Sequence, residues 1–241
     1  MIFVRRYIKN IVEFLNRLRL NLSKNYYIEN NVRMMHSSLE KYVSISKGCN
    51  IVWSEIGKYT YLGQNTELPY CRIGRYCSIA SHVILAEGRH PTAYVSTHPL
   101  LYGGMGYRMR GKIKTPHISN FKEHVTDGEK IVCLIGNDVW ISTRVTLVCR
   151  NKPLKIGDGA VIAAGALVID DVPDYAIVAG CPAKVIKYRF NEEQRRRLME
   201  SQWWNKDDKW MNQYIELFDD VDQFLSTVEN ESKQECYMNE F

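Results

Sequence analysis

A recurring spacing of five or six residues between aliphatic side chains constrains this chain more than any other feature. Between positions 45 and 85, every third aliphatic residue returns to the same phase 17 residues further on. The residues are Ile45, Ile51, Ile56, Leu62, Leu68, Ile73, Ile79 and Leu85. An amphipathic helix repeats at about 3.6 residues and a half-buried strand at about 2, so neither explains this pattern.

The spacing predicts very short strands, each followed by a tight turn, with three such units closing one coil. Stacked coils would lie about 4.8 Å apart, with the recurring aliphatic side chains pointing inward. The position two residues before each aliphatic is small to medium-sized, as limited interior space requires. It holds Cys49, Ser54, Thr60, Thr66, Cys71, Cys77 and Val83. These three cysteines are therefore interpreted as core packing.

The spacing resumes after an interruption and stops before position 173. The resumed series is Ile135, Ile141, Leu147, Ile156, Ile162 and Val168. The run Asp170-Asp171-Val172-Pro173 is expected to end the pattern, because proline cannot donate to a strand ladder. Residues 88–130 have no such rhythm, which is typical of a binding loop. The sequence predicts an all-β solenoid, residues 31–188, with a loop insertion at 88–130.

Composition and charge exclude several function classes. Residues 1–24 carry a net charge equal to the +5 of the whole chain, so the rest is near neutral and no basic face for nucleic acid is expected. No apolar run reaches the roughly 18 residues of a membrane span, and charged residues interrupt the N-terminal apolar positions, so no signal peptide is expected. The seven cysteines include no CxxC pair, which argues against a disulfide framework or zinc finger. A cytoplasmic protein with reduced thiols is expected.

Both ends of the chain carry helical patterns. Residues 2–22, within an N-terminal segment 1–30, form a basic amphipathic pattern that could cap the prism or lie on an anionic membrane. At the other end Asn191 and Gln194 resemble a helix-capping pair. The segment 189–228 is predicted to be helical, with Trp203 and Trp204 packing in its core. Residues 229–241 are predicted to be a frayed tail.

Five segments together identify a resemblance. They are IGRYCSIASHVIL, GRHPTAYVSTHPLLY, IGNDVWIS, IGDGAVIAAGALVIDDVP and YAIVAGCPAKVIKYRF. They resemble the hexapeptide-repeat acyltransferases, in the branch of the xenobiotic acetyltransferases and the sugar O-acetyltransferases of bacterial polysaccharide synthesis. The resemblance implies a left-handed parallel β-helix, acetyl-CoA as co-substrate, and a homotrimer with sites between neighbouring prisms.

The resemblance also implies which residues act on the substrates. His90 opens the loop directly after a coil, as the family's catalytic histidine does, and an imidazole suits a general base. Tyr94, His98 and Tyr102 are expected to contact the acceptor, whereas His117 and His124 have no motif support. No metal site is expected. A covalent route through Cys181 is the alternative to direct attack, which is favoured.

Donor contacts are expected along a groove between two prisms. The resemblance places acetyl-CoA against two neighbouring turns and against cations that could meet its phosphates. The residues concerned are Trp140, Ser142, Ala163, Ala164, Lys184, Lys187 and Arg189.

The predicted activity is O-acetylation of a sugar hydroxyl in a surface polysaccharide or its precursor. Three alternatives stay open: a chloramphenicol- or streptogramin-type acetyltransferase, an amino-sugar-nucleotide N-acetyltransferase, and a non-catalytic β-helix scaffold. The enzymatic hypotheses share the same general base and donor groove, so only the loop 88–130 distinguishes them.

Overall fold

The computed structural model describes residues 22–23, 25–102, 121–123, 126, 128 and 130–239. Nearly all of the predicted N-terminal helix, together with His117 and His124, lies outside this part of the chain. Within the described residues, the structure has no helix with the length and apolar character needed to cross a bilayer.

Short strands make up most of the described chain up to residue 188. In chain order they are β1 (Tyr26–Ile28), β2 (Ser38–Leu39), β3 (Val43–Ile45), β4 (Glu55–Ile56), β5 (Tyr61–Leu62), β6 (Cys71–Ile73), β7 (Ser78–Ile79), β8 (Ile84–Ala86), β9 (Cys133–Ile135), β10 (Trp140–Ile141), β11 (Thr146–Val148), β12 (Leu154–Ile156), β13 (Val161–Ile162), β14 (Leu167–Val168), β15 (Ala176–Gly180) and β16 (Ala183–Tyr188). They form three sheets, ordered β1-β3-β5-β7-β10-β13-β15-β16, β14-β11-β8 and β12-β9-β6-β4-β2. We call these the first, second and third sheets.

The pairing register follows the spacing in the sequence. In the first sheet Ile45 lies beside Leu62, and Leu62 beside Ile79, so residues 17 apart are parallel neighbours. Ile79 then pairs with Ile141, although the loop separates them in the chain. The insertion therefore leaves the register intact. The mostly parallel strands predicted from the period are confirmed.

The interior is filled by the predicted aliphatic side chains. All fourteen residues of the two series are buried, none more than 5% exposed. The smaller residues between them are buried too, and their hydroxyls bond along the stack. Thr60 Oγ1 donates to the carbonyl of Gly74 at 2.7 Å, and Ser54 Oγ to that of Leu68 at 2.8 Å. These bonds satisfy polar groups that would otherwise be costly to bury.

The parallel pairing continues beyond the point where the sequence was expected to end it. Val172 forms a bridge with Ile156, and β15 pairs in parallel with β13. The expected end at Pro173 was wrong because this proline is exposed in the turn between those two pairings, where no ladder donor is required. After β15 the chain reverses into the antiparallel strand β16.

Helices follow the last strand, as predicted. The loop contains α1 (Pro99–Tyr102), and the C-terminal segment contains α2 (Glu192–Ser201), α3 (Asp208–Tyr214) and α4 (Val221–Asn239), with 3-10 turns at Trp203–Asn205 and Ile215–Leu217. Asn191 and Gln194 form a complete capping box at the start of α2. Residues 229–239, expected as a frayed tail, continue α4, and Trp210 Nε1 donates to Glu231 at 2.8 Å.

The C-terminal helices pack on the edge between the first and third sheets. There Tyr42, Tyr59 and Tyr76 stack in successive coils, with ring centroids 5.1 and 5.2 Å apart. Trp203 continues the stack at 5.0 Å and is buried together with Trp204. The two tryptophans are therefore core packing, as interpreted from the sequence, and this edge lies away from the second sheet.

Candidate active site

His90 lies where the chain leaves the second sheet. It follows β8, which pairs in parallel with β11, so the start of the loop runs beside the residues that follow β11. A groove of about 380 Å³ opens between them. Its lining includes Arg89, His90, Tyr94, Phe121, Arg150 and Asn151. The end of a rigid strand thus presents an exposed imidazole to a concave surface.

One backbone contact fixes the chemistry of the imidazole. Nδ1 of His90 lies 2.9 Å from the carbonyl oxygen of Thr97. A carbonyl oxygen can only accept, so Nδ1 carries a hydrogen, and in the neutral ring Nε2 holds the lone pair. The ring is exposed. This is the tautomer that a general base requires.

Tyr102 lies behind His90 rather than in the open groove. Its side chain is only 3% exposed, and its hydroxyl donates to Glu123 Oε1 at 2.7 Å. The Tyr102 hydroxyl oxygen also lies 3.2 Å from His90 Nδ1. Burial, together with the hydrogen bond to Glu123, raises the pKa of Tyr102 to about 12. Tyr102 is therefore a neutral contact of the histidine and of Glu123.

Arg89 fastens the later part of the loop beside His90. Its Nε donates to the carbonyl of Lys122 at 2.9 Å, and its backbone N–H donates to that of Glu123 at 3.1 Å. Nη1 reaches Asn151 Oδ1 at 3.1 Å, and the guanidinium lies 5.1 Å from the centre of the Phe121 ring. Arg89 thus joins three stretches of chain around the groove. Arg89, Thr97 and Glu123 were not among the site residues predicted from the sequence.

The other two predicted acceptor contacts differ from each other. Tyr94 is 49% exposed and lies edge-on to Phe121, with ring centroids 6.3 Å apart, at the wall of the groove. His98 is exposed, but its Nδ1 accepts the backbone N–H of Leu100 at 3.2 Å, at the start of α1. That nitrogen is therefore engaged within its own turn.

The structure brings the predicted donor residues of the two turns together. Ile141 pairs with Ile162, so Ser142 and Ala163 follow neighbouring strands at the same edge of the first sheet. Ala164 is exposed beside them, and Trp140, 53% exposed, is on the outer face of the same sheet. One exposed indole ring therefore lies on the same sheet as these two turns.

The predicted phosphate contacts do not share one environment. Lys184 and Lys187 are exposed on β16. Arg189 instead donates to Asp138 Oδ2 at 2.8 Å and to the carbonyl of Gly159 at 2.9 Å. Burial raises the pKa of Asp138, and the nearby guanidinium opposes that rise. Arg189 thereby ties the C-terminal segment to the coils.

The six cysteines whose side chains the structure describes fall into two environments. Those at positions 49, 71, 77, 133 and 149 are buried, and burial raises the pKa of Cys77 and Cys149 to about 12, which keeps these thiols protonated. Cys181 is exposed in the turn between β15 and β16. Among the described residues, no group of three or more His, Cys, Asp or Glu side chains is arranged to hold a metal ion.

Comparison with known proteins decides the family. No family model matches the sequence. A probable macrolide acetyltransferase from Lysinibacillus sphaericus is 36% identical over 169 residues, covering 68% of this chain and 80% of that protein. The chain belongs to the hexapeptide-repeat acetyltransferases. A chloramphenicol acetyltransferase from Morganella morganii is 52% identical over 71 residues. That match covers 30% of this chain and 32% of the Morganella protein.

Solved structures resemble the hexapeptide-repeat acetyltransferase more distantly. A mutant perosamine N-acetyltransferase from Caulobacter crescentus, in complex with CoA and GDP-perosamine, is 18% identical with a TM-score of 0.46. That match covers 71% of this chain and 65% of the other. A galactoside acetyltransferase in complex with coenzyme A is 25% identical with a TM-score of 0.40, covering 67% and 70% of the two chains.

Proposed function

We propose that this hexapeptide-repeat acetyltransferase transfers the acetyl group of acetyl-CoA directly to a hydroxyl, with His90 as general base. The observation that supports this most is the hydrogen bond from His90 Nδ1 to the Thr97 carbonyl, 2.9 Å long. In the neutral ring it leaves the lone pair on Nε2, and the ring is exposed beside a groove of about 380 Å³. A lone pair held in place is the first requirement for taking a proton from an acceptor.

The proposed reaction needs no covalent acyl-enzyme. As the acceptor oxygen attacks the thioester carbonyl, its proton passes to His90 Nε2 and a tetrahedral intermediate forms. The carbon–sulfur bond then breaks, and the imidazolium returns that proton to the departing CoA thiolate. The thiols of Cys77 and Cys149 are poor nucleophiles, because burial raises the pKa of each to about 12 and keeps it protonated.

For the donor we propose the edge formed by Trp140, Ser142, Ala163 and Ala164, with Lys184 and Lys187 near the phosphates. Exposed turn backbone can bond the amides of an extended pantetheine arm. Arg189, held by Asp138, is assigned to structure instead. The proposal also includes a left-handed solenoid and a homotrimer. Light scattering would test the homotrimer, whose mass should be three times that of the 28.1 kDa chain.

For the acceptor we propose a sugar hydroxyl. The groove offers the exposed ring of Tyr94 beside the polar side chains of Arg150 and Asn151, and a sugar presents both an apolar face and hydroxyl groups. A second candidate is the hydroxyl of an antibiotic, which the names of the Lysinibacillus sphaericus and Morganella morganii relatives favour.

The experiment is a free-thiol assay of CoA release with glycans and antibiotics as acceptors. Replacing His90 by Ala should lower kcat with the preferred acceptor by about 10²- to 10⁴-fold, the usual effect of losing a general base. His36→Asn is the matched control, since His36 is exposed in the first coils at a positive φ that Asn accepts. Wild-type turnover in His90→Ala would disprove the assigned base.

A further inference from the structure

We infer that Glu123, acting through the Tyr102 hydroxyl, is a positioning residue that stabilises the protonated His90 during acetyl transfer. The inference deepens the proposed function and rests on it. It assigns a three-residue relay, Glu123–Tyr102–His90. Glu123 comes from the later part of the loop, Tyr102 from α1, and His90 from the residues that follow β8.

The geometry of the Tyr102 oxygen supports the relay. The hydroxyl hydrogen is directed to Glu123 Oε1, 2.7 Å away, because an ionised carboxylate can only accept. The oxygen's lone pairs therefore face His90 Nδ1 at 3.2 Å, beside the Thr97 carbonyl at 2.9 Å. The Nδ1 hydrogen has two acceptors, and one of them is polarised by a negative charge.

Tyr102 cannot readily turn elsewhere. Its ring is buried and lies edge-on to Phe121, with centroids 5.6 Å apart, and edge-on to His90 at 6.2 Å. Arg89 holds the backbone of residues 122 and 123 in place. A hydroxyl confined between a carboxylate and an imidazole is more than a chance surface contact.

Other charges near His90 do not duplicate Glu123. Arg89 directs its guanidinium toward the Lys122 and Arg150 carbonyls and Asn151. Arg150 pairs with Asp170 at 3.3 Å. Glu87, three residues before His90, is the other described carboxylate on this stretch of chain. Glu123 is joined to the imidazole through the hydrogen-bonded side chain of Tyr102.

The relay would act without transferring a second proton. When Nε2 takes the acceptor proton, the imidazolium donates from Nδ1 to the Thr97 carbonyl and to the Tyr102 oxygen. Tyr102 keeps its hydroxyl hydrogen and continues to donate it to Glu123. Hydrogen bonds with an ionised partner are about twice as strong as neutral ones. The carboxylate thus favours the charged state of the ring that exists only during the reaction.

The test compares Glu123→Gln, Tyr102→Phe and the double variant by pH–rate profile. Each single variant should lower kcat about tenfold with little change in KM for acetyl-CoA, and should move the acid limb of kcat/KM to lower pH, since the imidazolium loses a stabilising charge. The double variant should be no worse than either single one. Tyr27→Phe and Glu216→Gln are controls, because both side chains are exposed in β1 and in the turn after α3.

Three results would overturn the relay: an unmoved acid limb, a loss confined to KM, or additive losses in the double variant. NMR titration of the His90 ring, assigned with His90→Ala, separates this from failure of the proposed function. The midpoint should move in Glu123→Gln even if no acceptor is ever acetylated, and an unmoved midpoint would contradict the relay. If Tyr102→Phe does not fold, Glu123→Gln alone decides.

Discussion

The coils and the loop of this protein hold their side chains in different ways. In the coils Ile45, Leu62 and Ile79 occupy equivalent interior positions, each at most 1% exposed, because the same space recurs every 17 residues. In the loop, His90 is exposed and is fixed by hydrogen bonds to Thr97 and Tyr102.

The difference shows how one fold can separate stability from chemistry. A coil side chain is supported by close packing on all sides, so its replacement should cost stability wherever it lies. A loop side chain is supported by a few directed bonds, so its replacement should cost activity and leave unfolding nearly unchanged.

The largest expected effect lies in the coils. Ile141→Ala should reduce the free energy of unfolding by about 2–5 kcal/mol, because a fully buried side chain leaves a cavity. Tyr94→Ala, at the groove, should stay within about 0.5 kcal/mol of wild type. Urea unfolding followed by circular dichroism measures both. Equal losses in the two variants would erase the distinction between the regions.

Alanine substitutions at two glycines distinguish the stability cost of a positive φ from the cost of a steric clash. Gly159 and Gly165 have φ of +65° and +69°, but an added Cβ at Gly159 would lie 2.3 Å from the Tyr175 ring, and at Gly165 it would meet nothing within 4 Å. Gly165→Ala should cost about 1–2 kcal/mol from φ alone. Gly159→Ala should cost about 1–3 kcal/mol more, from overpacking. Similar melting curves for the two would refute the predicted clash.

Buried hydroxyls in the coils offer the next effect. Thr60 Oγ1 donates to Gly74 and accepts from the backbone N–H of Cys77 at 3.0 Å. Thr60→Val keeps the shape and should cost about 1–3 kcal/mol, since two buried backbone groups lose their partner. Thr143→Val, whose hydroxyl is exposed, should change unfolding by less than about 0.5 kcal/mol. The comparison fails if Thr60→Val unfolds like wild type.

The smallest effect concerns pH. The Arg75 guanidinium, by hydrogen bonds to Glu40, holds the pKa of that carboxyl below its usual range. The ion pair is partly exposed and should contribute about 0.2–1 kcal/mol. Because the folded-state pKa is lowered, this contribution is present at neutral pH and disappears as pH falls through that value.

Unfolding of wild type and Glu40→Gln should therefore differ at pH 7 and converge as the pH falls through the lowered pKa of Glu40. The Glu123→Gln effect on rate should instead appear near neutral pH, where an imidazole titrates. A Glu40→Gln difference that grows on acidification would show that the sign is wrong.

The recurring aliphatic positions of the coils could be predicted from the sequence, and the predictions that were wrong lie at boundaries. Pro173 was expected to end the pattern, yet β15 continues it, because the proline falls in a turn. Residues 229–239 have few apolar positions and were expected to fray, yet they continue α4. A boundary depends on what the next element packs against, which the repeat does not encode.

The site was predictable only where a motif marks it. His90 follows a coil in a recognisable segment, whereas the partners of its ring left no signal. Thr97 contributes a backbone carbonyl, which any residue would supply. Glu123 lies 33 residues beyond His90 in the chain. Tyr102 was expected to contact the acceptor, but its side chain is buried against His90 and Glu123.

By itself, the sequence determined the stacking of the coils and the burial of the fourteen recurring aliphatic side chains, because a fixed period leaves each of them one place to be buried. The tertiary structure alone decided which nitrogen of His90 carries the hydrogen and which carboxylate lies behind it. Those depend on the paths of loop segments far apart in the chain, where distance in three dimensions follows no period.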